Sequence, residues 1–314
     1  MDHLPLQETP VERLSYFSKK WGINLFIKRD DLFGSAGGGN KARMLKYILY
    51  KVKQYGFNVL ITAGTPHSNF SRAAALMAAQ MNLKFVLVLY SNTRELNEKS
   101  LNLYLAKLSG ADIRECDINN VPQTIETTIK EFLNKGDNPY YIWGGGKSLE
   151  GSYSYYDAIF ILKRQIDFKI NHIICACGTG TTLSGIYVGM KEFLPDACLS
   201  GISVARKIER GMPELQFLIN ELEIYLKRKV TSFLDINLID KYILGEYACT
   251  NSELLGLIKI VAENEGILLD PVYSGKAFYG LSELNKDGYF KKGSNVLFWH
   301  TGSVFNLLSS GRIV

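Results

Sequence analysis

The sequence has no hydrophobic run long enough to span a bilayer and no block of charge of one sign. The first absence speaks against a helical membrane protein, and the second against a dedicated nucleic-acid binder, which concentrates its basic residues. The 36 basic and 31 acidic residues are dispersed, leaving a formal net charge of +5. Cysteine is scarce and odd in number, at five (Cys116, Cys175, Cys177, Cys198, Cys249), so reduced thiols are expected rather than a disulfide framework. Only Cys175 and Cys177 are close, and HIICACG around them reads as a buried strand without the second ligand pair of a zinc site. The four histidines (His3, His67, His172, His300) form no H-x-x-x-H pattern, so no metal is expected. The opening MDHLPLQETP carries acids and prolines where a secretory signal has a basic start and an apolar run, which points to a cytoplasmic protein. Repeats, low-complexity tracts and Pro/Gly/Ser linkers are missing too, so composition marks no domain boundary.

What is present is a chain of 314 residues, 46% hydrophobic, long enough for a large core and for two domains. NLFIKRDD, NVLITAG, KFVLVLY, NHIICACG and NVLFWHTG are strand candidates, rich in β-branched and aromatic residues. Helical patterns lie between them. In KARMLKYILYKVKQYG, Met44, Leu45, Ile48, Leu49 and Val52 fall at helical spacing, and Gly56 supplies a stop. The polar region up to Asn138 reads as helices flanking a smaller sheet. Alternating strands and helices predict an α/β fold of mostly parallel twisted sheets with flanking helices, with sites at the carboxyl ends of strands.

Two glycine loops carry the chemistry. In DDLFGSAGGGNKARML three glycines precede Asn40 and Lys41 at the mouth of a helix, where unpaired N–H groups disfavour an ammonium and ease a lowered pKa. A neutral amine there is a nucleophile toward aldehydes. Taken alone, the segment also fits a glycine-rich turn ending in a solvated lysine. In CGTGTTLSGI, glycines and threonines at a strand–helix junction suit an anion. This is no dinucleotide fingerprint, because Leu183 stands where the third glycine belongs, and neither WGGGKS nor GGGNK completes a P-loop. A monophosphate cup remains, with a tight structural turn as the other reading. A poised lysine and a phosphate cup are the two fixed points of pyridoxal phosphate. Together they predict a third group facing the ring nitrogen.

At this point the sequence resembles the D-cysteine desulfhydrase and 1-aminocyclopropane-1-carboxylate deaminase family of pyridoxal-phosphate enzymes, within the tryptophan synthase β-like fold (fold type II). The resemblance runs through ETPVERL, IKRDDL, GGGNKARML, ITAGTPHSNFSRAAA, WGGGKSLEGSYSY, CGTGTTLSG, LDPVYSGKAFYGL and VLFWHTGS, nearly the whole chain. It implies a larger cofactor domain from 1–48 and 157–314, a smaller domain from 49–156 that closes over substrate, and a homodimer. It makes Lys41 the Schiff-base lysine and mover of the α-proton. Ser68 would lie by the substrate and Asn69 would meet the ring hydroxyl. Gly178, Thr179, Gly180, Thr181 and Thr182 would hold the phosphate. Tyr273 and Tyr247 match the two substrate-facing tyrosines, although Glu246 replaces a common glycine beside the second. Thr301 would lie near the ring nitrogen.

The residue after Tyr273 bears on the branch, because the deaminases have glutamate where this chain has Ser274. With Ser274 and Thr301 as neutral partners the ring withdraws electrons less strongly, which suits loss of an α-proton followed by departure of a thiol. The expected reaction is α,β-elimination from a small amino acid, D-cysteine above all, to pyruvate, ammonia and a thiol or sulfide. The alternatives are 1-aminocyclopropane-1-carboxylate deamination, β-replacement or racemisation on the same fold, and a non-catalytic regulatory protein that binds the cofactor. Phe70 stands where the family has histidine, and Lys147 in WGGGKS is a second unusual charge near the substrate loop. Either change is consistent with a different substrate.

Overall fold

A computed structural model describes residues 7–34, 36–91, 100–228 and 235–311. Among them are ten strands, Val11–Arg13 (β1), Asn24–Arg29 (β2), Val59–Gly64 (β3), Lys84–Tyr90 (β4), Asp112–Cys116 (β5), Pro139–Ile142 (β6), His172–Cys177 (β7), Cys198–Ser203 (β8), Asn237–Ile239 (β9) and Asn295–His300 (β10). The α-helices among the described residues are Ser15–Trp21 (α1), Gly39–Gln54 (α2), Asn69–Gln80 (α3), Leu101–Leu108 (α4), Val121–Asn134 (α5), Leu149–Gln165 (α6), Thr181–Phe193 (α7), Ile208–Tyr225 (α8), Ser252–Glu265 (α9), Ser274–Lys286 (α10) and Val304–Ser310 (α11).

The strands form two sheets. One has the order β1-β2-β10-β7-β8-β9 and is parallel except for β1; the other, β5-β4-β3-β6, is parallel throughout. Parallel strands need crossover connections, and the helices that supply them cover both faces. Burial follows from that: every residue of β3 is buried, and β10 is buried from Val296 to His300. Alternation then assigns the faces. Leu297, Trp299, Ile173 and Leu199 join the core under α2, α6 and α7, whereas Val296, Phe298, Ile174 and Ile202 join the core under α1, α9 and α10. The chain is thus an α/β protein of mostly parallel sheets with flanking helices.

All five sequence-derived strands are observed, as β2, β3, β4, β7 and β10. The helix expected after the glycine run is α2, and Gly56 sits two residues past its end in a left-handed conformation. The polar region contains α4, β5 and α5, and its part before Ser100 lies outside the described residues. The strands of the second sheet fall within 59–142, while positions 48/49 and 156/157 lie inside α2 and α6, helices that pack on each other.

One carboxylate ties these layers together. Asp30, immediately after β2, is fully buried and accepts hydrogen bonds from Thr9 Oγ1 (2.8 Å), Arg43 Nη2 (2.7 Å) and Nε (2.9 Å), Tyr155 Oη (2.8 Å) and Trp299 Nε1 (3.0 Å). Burial opposes its ionisation, but the Arg43 guanidinium and the other donors outweigh that and bring its pKa down to about 2. Removing the carboxylate leaves Arg43 charged and buried, so Asp30→Ala is expected to cost about 3–5 kcal/mol in urea unfolding at neutral pH. Because the folded-state pKa is depressed, this stabilisation is fully present above about pH 4 and is lost as pH falls toward 2. An acid-unfolding titration of Asp30→Ala should lack that component.

Candidate active site

Lys41 is the third residue of α2, and the glycines before it are required by geometry. Gly37, Gly38 and Gly39 all have φ between 73° and 86°, a Cβ on Gly38 would stand 2.0 Å from the Asp31 carbonyl oxygen, and one on Gly39 would stand 2.8 Å from that of Thr301. The helix start is therefore pressed against the end of β10, where the Asn40 amide donates to the Thr301 carbonyl (2.9 Å). Lys41 Nζ donates to the Gly145 carbonyl (2.8 Å), and burial lowers its pKa to about 8.

The second glycine loop follows β7. Gly180 adopts φ 90° and caps α7, whose first N–H groups have no acceptor within the helix. Thr179 and Thr181 hydroxyls lie 3.2 Å apart, and Asn40 Nδ2 donates to Thr182 Oγ1 (3.1 Å), which couples the lysine helix to the loop.

From the other sheet come Ser68 and Asn69. Ser68 caps α3 by accepting the Ser71 amide (3.1 Å). Asn69 Nδ2 donates to Ser303 Oγ (2.8 Å), while its buried Oδ1 has no partner. Phe70 is buried against Gly146, where a Cβ would meet its ring at 2.7 Å. Lys147 is not free over the cavity, because it is ion-paired with Glu214 on α8.

Tyr273 and Tyr247 meet hydroxyl to hydroxyl at 2.5 Å, and burial pushes both phenols above their ordinary pKa. Two buried side chains hold this pair. The Asp270 carboxylate accepts from the amides of Val272, Tyr273 and Ser274 and from the Ser274 hydroxyl, at 2.7–2.9 Å. Lys276 Nζ donates to the Ile243 (2.6 Å) and Glu246 (3.3 Å) carbonyls and so anchors the loop that carries Tyr247.

A cavity of about 300 Å³, within the ordinary range for small-molecule sites, brings most of these together. Lys41, Ser68, Asn69, Gly178, Thr179, Gly180, Thr182, Tyr247, Tyr273 and Thr301 line it. Thr181 and Ser274 do not; Thr181 is buried beneath the loop and Ser274 is turned to Asp270. The sequence reading missed Asn40, Tyr90 and Arg206, which also line the cavity. Arg206 follows β8, and the rule that sites gather at strand ends would have found it had CLSGIS been read as a strand. The unpartnered Asn69 Oδ1, the desolvated Lys41 and the donor-rich loop fit a ligand with a ring hydroxyl, an aldehyde and an anionic group, as pyridoxal phosphate has. Among the described residues, no cluster of three or more His, Cys, Asp or Glu is suited to a metal, and no helix is long and apolar enough to cross a membrane.

The family described as pyridoxal-phosphate dependent enzyme matches residues 4–302. A Thermotoga maritima protein, named only provisionally as a 1-aminocyclopropane-1-carboxylate deaminase, is 33% identical over 98% of this chain and 98% of its own. D-cysteine desulfhydrase of Klebsiella pneumoniae is 33% identical over 94% of this chain and 91% of its own. A crystal structure titled as that of an ACC deaminase homologue superposes with a TM-score of 0.87 at 35% identity, covering 96% of this chain and 91% of the other. The chain belongs to the pyridoxal-phosphate dependent enzyme family, and its cofactor is pyridoxal 5′-phosphate.

Proposed function

We propose that this chain is a lyase whose preferred reaction is D-cysteine desulfhydrase-like: D-cysteine and water become pyruvate, ammonia and hydrogen sulfide. One observation carries the choice of branch. Among the described residues, no aspartate or glutamate lines the cavity, and at the end of β10 the group offered is the neutral hydroxyl of Thr301. Without an anion to keep the ring nitrogen protonated, the electron sink is moderate, which suffices when a thiolate leaves from the β-carbon. When bound, the cofactor withdraws electrons from the substrate's Cα and acidifies the proton there.

The chain's residues do the rest. Lys41, with its pKa lowered to about 8, moves the proton at Cα. Ser68 and Asn69 orient the substrate and ring from the second sheet. Tyr273 and Tyr247 retain their phenolic protons because burial raises both pKa values, so either can protonate the departing sulfur. Phe70 gives the wall beside Gly146 an apolar face. The phenol pair also favours a second reading, the opening of 1-aminocyclopropane-1-carboxylate, in which a released ring carbon needs a proton. The family resemblance further supports a homodimer.

Three outcomes are expected. Lys41→Ala should lower turnover by a thousandfold or more, on the order of a full proton-transfer contribution, while pyridoxal phosphate still binds non-covalently and dialyses away. In assays of D-cysteine, L-cysteine, both β-chloroalanines and 1-aminocyclopropane-1-carboxylate, pyruvate should form fastest from D-cysteine; 2-oxobutanoate from the cyclopropane alone would reverse the choice of branch. Finally, the rate at which cofactor-free protein captures pyridoxal phosphate should rise with pH around a midpoint near 8, well below an ordinary lysine, as followed by visible absorbance.

A further inference from the structure

Among the described residues two cations line the cavity, Lys41 and Arg206, and only the first has a role so far. Strand order fixes where the second one sits. The carboxyl ends of β2, β10, β7 and β8 run side by side, carrying in turn the approach to Lys41, Thr301, the Gly178–Thr182 loop and Arg206. Arg206 therefore flanks the glycine–threonine loop on the side away from Lys41. Its Nη1 reaches the Thr179 carbonyl at 3.5 Å, at the limit of a hydrogen bond, so the guanidinium lies on the loop without being consumed by it.

The backbone at this point is fixed. Ser203 Oγ accepts the Arg206 amide (3.1 Å) and donates to the Arg206 carbonyl (2.5 Å), closing a tight turn at the end of β8. The carboxylate that feels the charge of Arg206 is Glu214, and Glu214 is ion-paired with Lys147. A half-buried guanidinium thus faces a cavity wall that, among the described residues, has no acidic side chain.

We propose that Arg206 is a cofactor-binding residue that engages the phosphate monoester and makes the site select pyridoxal phosphate over unphosphorylated pyridoxal. The inference rests on the placement of the phosphate at the Gly178–Thr182 loop. The loop supplies backbone N–H groups and neutral hydroxyls but no full positive charge. A phosphate monoester carries close to two negative charges at neutral pH, and a guanidinium presents paired donors that match its oxygens. Lys41 cannot fill this part, since its amine is committed to the aldehyde end.

The test compares two ligands on the full-length protein after the cofactor is stripped with hydroxylamine. Wild type, Arg206→Gln and Thr182→Val are titrated with pyridoxal phosphate and with pyridoxal, following visible absorbance and the quenching of intrinsic fluorescence. Arg206→Gln should weaken pyridoxal phosphate roughly ten- to hundredfold, the range for a hydrogen bond between charged groups, and change pyridoxal less than twofold. Arg206→Lys should recover part of the loss. Inorganic phosphate should compete with pyridoxal phosphate on the wild type and much less on Arg206→Gln. Unchanged phosphate discrimination in Arg206→Gln would overturn the proposal, and so would an equal loss for both ligands or a rise in substrate KM with cofactor affinity intact. Thr182→Val separates the causes. If it lowers discrimination and Arg206→Gln does not, the phosphate is at the loop and Arg206 is not its partner; if neither does, the placement itself is wrong.

Discussion

The position of α2 depends on the Asp30 carboxylate, and the position of Lys41 depends on α2. Five hydrogen bonds converge on Asp30 from Thr9, Arg43 on α2, Tyr155 on α6 and Trp299 on β10. A carboxylate buried this completely is tolerable only when its lone pairs are satisfied and a cation is adjacent, and both conditions hold. The donor residues come from four separate segments of the chain, so satisfying one charge fixes the lysine helix against a central strand of the larger sheet. Lys28, also fully buried, continues the same polar seam by donating to the Thr9 carbonyl and to Gln165.

Backbone contacts complete what Asp30 begins. The Gly37–Gly39 run approaches Asp31 and Thr301 so closely that no side chain fits, and Gly302 approaches Gly39 in turn, with a Cβ there 2.7 Å from Gly39 Cα. The Gly302 amide donates to His300 Nδ1, which fixes the neutral tautomer with Nε2–H toward the Leu268 carbonyl. Burial lowers the His300 pKa, so the residue behind Thr301 adds no charge to the site. Lys41 then reaches across to Gly145, in the turn between β6 and α6, so its amine touches the segment that follows the second sheet.

Much of this was legible in the sequence, for identifiable reasons. β2, β3, β4, β7 and β10 are buried runs rich in branched and aromatic residues, and the glycine loops are strand–helix junctions whose composition reports backbone conformation directly. β8 was not legible, because CLSGIS mixes serine and glycine with few apolar residues and its burial comes wholly from its neighbours in the sheet. Arg206 was lost with it. Lys276 lies within LDPVYSGKAFYGL, but a lysine that buries itself against two carbonyls carries no local signature. Ser274 shows the converse. Its place in a motif suggested a ring-facing hydroxyl, whereas a helix start beside Asp270 competes for the same side chain and holds it at 2.7 Å.

The proton inventory of the cavity narrows the chemistry further. Burial pushes the phenols of Tyr247 and Tyr273 up and the Cys177 thiol up to about 12, so all three stay protonated at neutral pH. The threonine and serine hydroxyls do not titrate. Burial acts on Lys41 in the opposite sense, because its charged form is the protonated one, and brings it to about 8. The same desolvation therefore keeps Tyr247, Tyr273 and Cys177 in their neutral forms and loosens the proton of Lys41. The proposed elimination calls for that combination, one base for the proton at Cα and hydroxyl donors where negative charge develops.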